Sequence, residues 1–448
     1  MRLWFRVHSF TGVITGLLLF FICWTGSFAT ISNEVDWLVT PEARVEARAQ
    51  RATWGQLLSA VESAFPVTQV HVLDAPLYEH SAAEVLIDLP DQKFLRVYVD
   101  PYTAEVQGAH SAVNVQRFFR DLHRRLFIPG ALGIYVVSVF SLTLLLSLVA
   151  ALLFYKRWWR RFFQLRRSSP RQFWSELHKV AGLWSLWFLL LMGLTGIWYG
   201  IEATRLLPSP EDPKPVAARE DAVVLPLDAL IERARARRPE LRIERVIPPG
   251  GRYGAALYVE GRAGHVLVRD RINHLVVDAR DGETVTQRSA AEASAYERWI
   301  DTADPLHFGD FGGLVSKALW FLFGLILSGL CLTGAYLHAQ RLAREPGPVP
   351  RSRWPGTAAA LAVSLLVIAA SVPLGVLRLR FAGPLSDGVQ QFPQLAPGVE
   401  LVIFLWIIAT LAILGIWVLI LLRPRIIINL ERSGLLGDRQ RAGECNKR

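Results

Sequence analysis

Apolar positions gather in six long blocks along this chain, and polar positions fill the gaps. The blocks run roughly over 9–32, 130–155, 179–201, 314–338, 356–377 and 399–422. A helix of about 20 apolar residues crosses the ~30 Å hydrocarbon core of a bilayer, so each block predicts a membrane span. Two polar segments of domain size lie between them, at about 33–122 and 203–306. There the pattern shortens. TWGQLLSAVESAF (53–65) and LDALIERARARR (227–238) read as helices. VTQVHVL (67–73), AEVLIDL (83–89) and FLRVYVD (94–100) read as strands, as do LRIERVI (241–247), GAALYVE (254–259) and HLVVDAR (274–280). Each polar segment therefore predicts one helix on a small antiparallel sheet, an α+β domain.

The blocks repeat. Trp4, His8, Gly12 and the pair Thr25-Gly26 recur as Trp174, His178, Gly182 and Thr195-Gly196. RDLHRRLF places His123 before the second span of unit one, and ADPLHFGD places His307 before the second span of unit two. A tandem repeat of span, polar domain, span follows. The predicted order is span 1 (1–32), domain 1 (33–122), span 2 (123–155), basic loop (156–173), span 3 (174–202), domain 2 (203–306), span 4 (307–340), linker (341–355), span 5 (356–377), loop (378–398), span 6 (399–422) and tail (423–448). The proline-rich run 205–226 reads as a tether. Spans 5 and 6 hold no histidine and predict packing or partner docking.

Composition adds class and orientation. The chain is 52% hydrophobic, too apolar for an ordinary soluble protein of 448 residues. Lys156, Arg157, Arg160, Arg161, Arg166, Arg167 and Arg171 crowd the loop after span 2; Arg341, Arg344, Arg351 and Arg353 follow span 4, and the tail is basic too. Positive loops stay inside, so both termini are expected in the cytoplasm and both polar domains on the outer side of the membrane. The net charge of +10 is this topology signal, and no nucleic-acid partner is expected. The first block could instead be a cleaved signal peptide, but its apolar core is too long and it repeats span 3, which favours a retained helix. Cys23 and Cys331 fall in spans and Cys445 in the tail; no C-x-x-C-H or clustered set is present, excluding covalent c-type haem and an iron–sulfur centre.

Ten histidines remain to be placed. His8, His178 and His338 fall near the inner face, and His123 and His307 near the outer one. A lone histidine at a span end is ordinarily an interfacial polar group; four at repeat-matched positions point to chemistry, because ionisable groups in spans are costly and functional. Neutral imidazole is an axial ligand for haem iron, and two rings from two helices hold a b-type haem. His8, His178, His123 and His307 are thus the candidate iron ligands of two haems b, with His338 a further candidate. Arg6, Arg120, Arg124 and Arg125 either pair with haem carboxylates or meet lipid headgroups. Small residues beside the histidines (Gly12, Gly16 and Gly26; Gly182, Gly193, Gly196 and Gly200) leave room for a cofactor or let helices pack closely. His71, His80, His110, His265 and His274 read as solvated or local, with His110 and His274 able to line a substrate face.

The W-x-x-x-H-x-x-x-G openings, the LH before spans 2 and 4, and the V-D-P-Y-T-A-E-V turn resemble the PepSY-associated transmembrane (PepSY-TM) family, over about 1–340. That family includes inner-membrane siderophore reductases and iron-regulated membrane proteins. The resemblance implies a helical bundle with a four-helix haem-binding core and two periplasmic PepSY-like domains. It implies His8 and His178 on the inner haem, His123 and His307 on the outer one, and a haem-dependent oxidoreductase that reduces a ferric siderophore or other ferric chelate. No G-x-G-x-x-G follows a strand, so electrons are expected from a cytoplasmic donor or from quinone. The alternative is a periplasmic binding or protease-regulating module with structural histidines. A transporter fits less well, because the spans are expected to lack midplane charges and broken helices.

Overall fold

The computed structural model describes residues 2–67, 69–166, 169–217, 223–265, 267–342 and 356–432. Most of the expected linker 341–355, the end of the tail and Cys445 lie outside them. In chain order, α1 (Arg2–Ile14), α2 (Gly16–Thr30) and α3 (Ser32–Val39) lead to α4 (Trp54–Ala64) and the strands β1 (Gln69–Asp74), β2 (Ala83–Asp88), β3 (Leu95–Val99) and β4 (Val106–Ser111). Then come α5 (Val115–Arg125) and α6 (Gly130–Phe154). Unit two repeats this with α7 (Pro170–Trp184), α8 (Leu186–Ala203), α9 (Leu227–Arg237), β5 (Arg242–Ile247), β6 (Ala256–Arg262), β7 (His274–Asp278), β8 (Thr284–Arg288), α10 (Ala295–Phe308) and α11 (Gly313–Leu342). Last are α12 (Thr357–Phe381) and α13 (Pro397–Arg432), joined through a two-residue-strand hairpin.

Among the described residues, five helices are long and apolar enough to span a membrane, and α1 with α2 makes a sixth if taken as one bent span. The block 9–32 predicts one straight helix, but α1 and α2 meet at 68°. The break falls at Thr15, where the hydroxyls of Thr11 and Thr15 bond back to carbonyls of the preceding turn, a contact that bends helices. The bundle interleaves the two units: α2 lies along α11, and α6 along α8. Small residues permit this. A Cβ on Gly196 would sit 2.0 Å from the Ser141 hydroxyl, and one on Gly324 would sit 2.5 Å from that of Ser27. The small-residue stripes on α8 (Gly193, Gly196, Gly200) and at Gly324 of α11 therefore serve helix packing.

The two polar segments do not fold as separate domains. Their strands form one antiparallel sheet of eight, in the order β4-β3-β2-β1-β5-β6-β7-β8. The seam is short: Leu73 pairs with Val246, and Asp74 with Arg245. The outermost strands, β4 and β8, were not legible as strands, because VQGAHS and TVTQR lack an apolar alternation. Helices α4 and α9 cover one face, burying Leu57, Val61, Leu230 and Ile231 against Val85, Val97, Val246 and Leu257. Asp228, at the start of α9, accepts from the Gly55 amide (2.8 Å) and the Thr53 hydroxyl (2.7 Å) at the start of α4, tying the two helices together.

Two expected span openings move. His123 and His307 do not begin spans; each sits near the end of a separate helix that precedes one. α5 closes at Leu126, in the left-handed region at φ 51°, and α10 closes at Gly309 at φ 71°. Spans α6 and α11 start only at Gly130 and Gly313. The last two helices pack against α1, α2, α3, α5 and α11.

Candidate functional site

The repeat brings its histidines together in two layers. On the side near the sheet, the ring centres of His123 (α5) and His307 (α10) are 6.1 Å apart. At the opposite ends of the spans, those of His8 (α1) and His178 (α7) are 6.3 Å apart. Each pair joins unit one to unit two. For a metal–imidazole bond of about 2 Å, as in zinc sites, and a nitrogen roughly 1 Å from its ring centre, two rings clasping one metal have centres about 6 Å apart.

Hydrogen bonds fix which nitrogen is free. His8 Nδ1 lies 3.0 Å from the Ser147 carbonyl and 2.8 Å from the Ser147 hydroxyl, and His123 Nδ1 lies 2.9 Å from the Ile22 carbonyl; a carbonyl can only accept, so both rings donate through Nδ1. His178 Nδ1 lies 2.8 Å from the Thr333 hydroxyl, and His307 Nδ1 2.7 Å from that of Thr195. Both hydroxyls already donate elsewhere, to Gly329 and Leu191 carbonyls at 2.8 and 2.7 Å. They must therefore accept from the rings. All four imidazoles are held as the Nδ1–H tautomer, which leaves the Nε2 lone pair for a metal. Such an outer hydrogen bond on the second nitrogen orients and strengthens a metal-bound histidine.

Space adjoins both pairs. A cavity of about 120 Å³ is lined by His123 and His307 together with Arg120, Arg124, Tyr199 and Asp304. In the other layer, a Cβ added at Gly12 or Gly182, one helical turn from His8 and His178, meets nothing within 4 Å. His338 is buried on α11, one turn beyond Gly334, whose added Cβ would lie 3.5 Å from the His178 ring. Among the described residues no three of His, Cys, Asp or Glu converge on one point. A metal held by either pair must bring its remaining ligands with it.

Charge collects at the outer pair. Arg120 and Arg124 are half-buried, and among the described residues neither forms an ion pair. Burial draws the Arg120 guanidinium below its usual value, and the nearby Asp304 carboxylate only partly offsets it. Arg125 is not among the cavity's lining residues. Asp304 accepts from the Tyr199 hydroxyl (2.6 Å) and from Arg269 (2.6 Å). Burial works to raise its pKa, but Arg269 and Tyr199 outweigh it and hold the carboxyl below the ordinary range. Arg269 and Arg271 also converge on the fully buried Asp301. None of Tyr199, Asp304 or Arg269 stands out in the sequence. Thr195 does, since the Thr-Gly pair repeats, and Thr25 lies 3.5 Å from His123 as Thr195 lies near His307. The histidines of the sheet have local partners: His71 meets Asp88, His110 meets Glu42, and His274 bonds the Arg271 carbonyl.

Residues 5–341 match the family described as the PepSY-associated TM region. The chain belongs to the PepSY-associated transmembrane family. An uncharacterized protein of Pseudomonas aeruginosa, PA4219, is 30% identical over 257 residues, which cover 50% of this chain and 64% of that protein. The family match ends where α11 ends, so α12 and α13 are additions to the PepSY-associated region of this chain.

Proposed function

We propose that this chain is an inner-membrane electron-transfer protein that binds two haems b and reduces a ferric siderophore or other ferric chelate. His8 and His178 would hold one haem, His123 and His307 the other. The observation that carries the reading is the shared tautomer: four rings in two facing pairs, each bonded through Nδ1 and each with Nε2 free. A pair of imidazoles is too few for a bare ion but suits iron that arrives with four porphyrin nitrogens.

Bound haem supplies one-electron chemistry at each layer. The chain's own residues do the rest. Ser147, Ile22, Thr333 and Thr195 orient the ligand rings. Arg120 and Arg124 offer guanidinium groups to carboxylates at the outer layer. Gly12 and Gly182 keep the inner layer clear. The apolar bundle excludes water between the layers. Iron(II) is held more weakly than iron(III) by hard oxygen donors, so reduction on the periplasmic side would release the metal. The electrons would come from a cytoplasmic donor or quinone, with both termini in the cytoplasm.

A reduced-minus-oxidised absorption spectrum of the purified protein tests this. Two haems per chain with b-type Soret and alpha bands are expected, one of them lost in His123→Ala or His307→Ala. A colourless protein would overturn the reading and leave a partner-binding membrane module.

A further inference from the structure

Spans α12 and α13 carry no histidine, and the chemistry above gives them no part. We propose that they are a brace for the helix bearing His123, with Arg378 as its positioning residue; this rests on the reading of His123 and His307 as ligands of one haem. Arg378, on α12, donates through Nε to Asp121 Oδ2 at 2.8 Å. Asp121 stands two residues before His123 on α5, and Arg117 reaches the same oxygen at 3.1 Å. The carboxylate is mostly buried, with 12% of its side chain exposed, so its partners are held in place rather than exchanged with water.

Apolar contacts extend the brace. Trp406 of α13 meets Phe119 and Phe118 of α5 edge-on, at 5.2 and 6.2 Å between ring centres. Gly375 of α12 leaves room for Phe127, just past the end of α5; a Cβ there would be 2.9 Å from the ring. The same pair of spans also fixes the acceptor of the ligand ring. Trp24 on α2 donates to Thr410 of α13 at 2.8 Å, and Ile22, half a turn away, takes the His123 Nδ1 proton. Helix α5 and the carbonyl that orients its histidine are thus referred to one support. The opposing ligand is held by another device, the Arg269 and Arg271 pairs with Asp301 and Asp304 on α10. The two ligands of the outer layer are therefore braced by different supports, one from the membrane and one from the sheet.

The test uses full-length, haem-loaded protein, read by electron paramagnetic resonance and redox titration. The outer haem is identified as the one that His123→Ala removes. Arg378→Gln and Asp121→Asn are expected to shift its g-values and midpoint potential, with the inner haem unchanged and Arg378→Lys largely restoring both. Should Arg378→Gln fail to accumulate, Gly375→Ala presses on Phe127 without altering a charge and is expected to move the same signals. Outer-haem signals unchanged in Arg378→Gln, or in Gly375→Ala if that variant is the one examined, overturn the brace alone. A wild type without haem overturns the function itself, and this role with it.

Discussion

Leu73 of β1 faces Val246 of β5, and with Asp74 and Arg245 this pairing makes one sheet of the two repeat units. Leu73 and Val246 are 1% and 0% exposed, deep under α4 and α9. Leu73→Ala should cost about 2–5 kcal/mol of stability, the range for removing a buried leucine. Asp74→Ala should cost no more than ~1 kcal/mol, since the ion pair is open to water and Arg245 keeps Glu260 at 3.1 Å. Thermal unfolding in detergent separates the two; equal losses would show that the seam is held by charge.

The hydroxyl beneath each unit-two ligand should matter to cofactor retention. Thr195→Val and Thr333→Val remove the acceptors for His307 and His178. Loss of such an outer hydrogen bond typically weakens metal binding 10–100-fold. Haem transfer to a scavenging apoprotein should run correspondingly faster for one haem in each variant, and for different haems in the two.

Gly26 lies directly under His123. A Cβ there would come 2.7 Å from Cε1 of the ring, closer than atoms pack, so the imidazole must swing away. Gly26→Ala should reduce outer-haem occupancy and leave the inner haem at its wild-type level, as measured by absorption and haem stoichiometry.

Asp36 caps α5, accepting from the Val115 and Gln116 amides at 2.7 and 2.8 Å. Burial nevertheless pushes its carboxyl up to about 7 from an ordinary 3.8. Between those values the folded chain holds a proton that the unfolded chain releases, so stability falls as pH rises through the window. Melting temperatures taken from about pH 4 to about pH 8 should show this slope, and Asp36→Asn should flatten it. A slope unchanged in the variant would assign it to other groups.

What could be read in advance follows from how far each feature depends on its own neighbours in the chain. The spans declare themselves by apolar length, and the histidine pairs by repetition, because a duplicated segment carries its ligand to the symmetric place. The bend at Thr15 and the separate helices holding His123 and His307 were harder to see. Their signals are single residues (Thr11 and Thr15, Leu126, Pro129-Gly130, Gly309) inside otherwise continuous patterns. The seam at Leu73 and Val246 leaves no local mark, since each strand looks the same whether its edge is paired or bare. Tyr199, Asp304 and Arg269 meet only in the fold, from three distant stretches.

The seam has a bearing on where such a chain comes from. A lone unit would present β1 as a raw edge whose amides and carbonyls seek another strand. Two lone units meeting there would rebuild the same eight-stranded layer and bring one histidine each to both faces. Joining the units in one chain makes their pairing an event within a single molecule, independent of concentration.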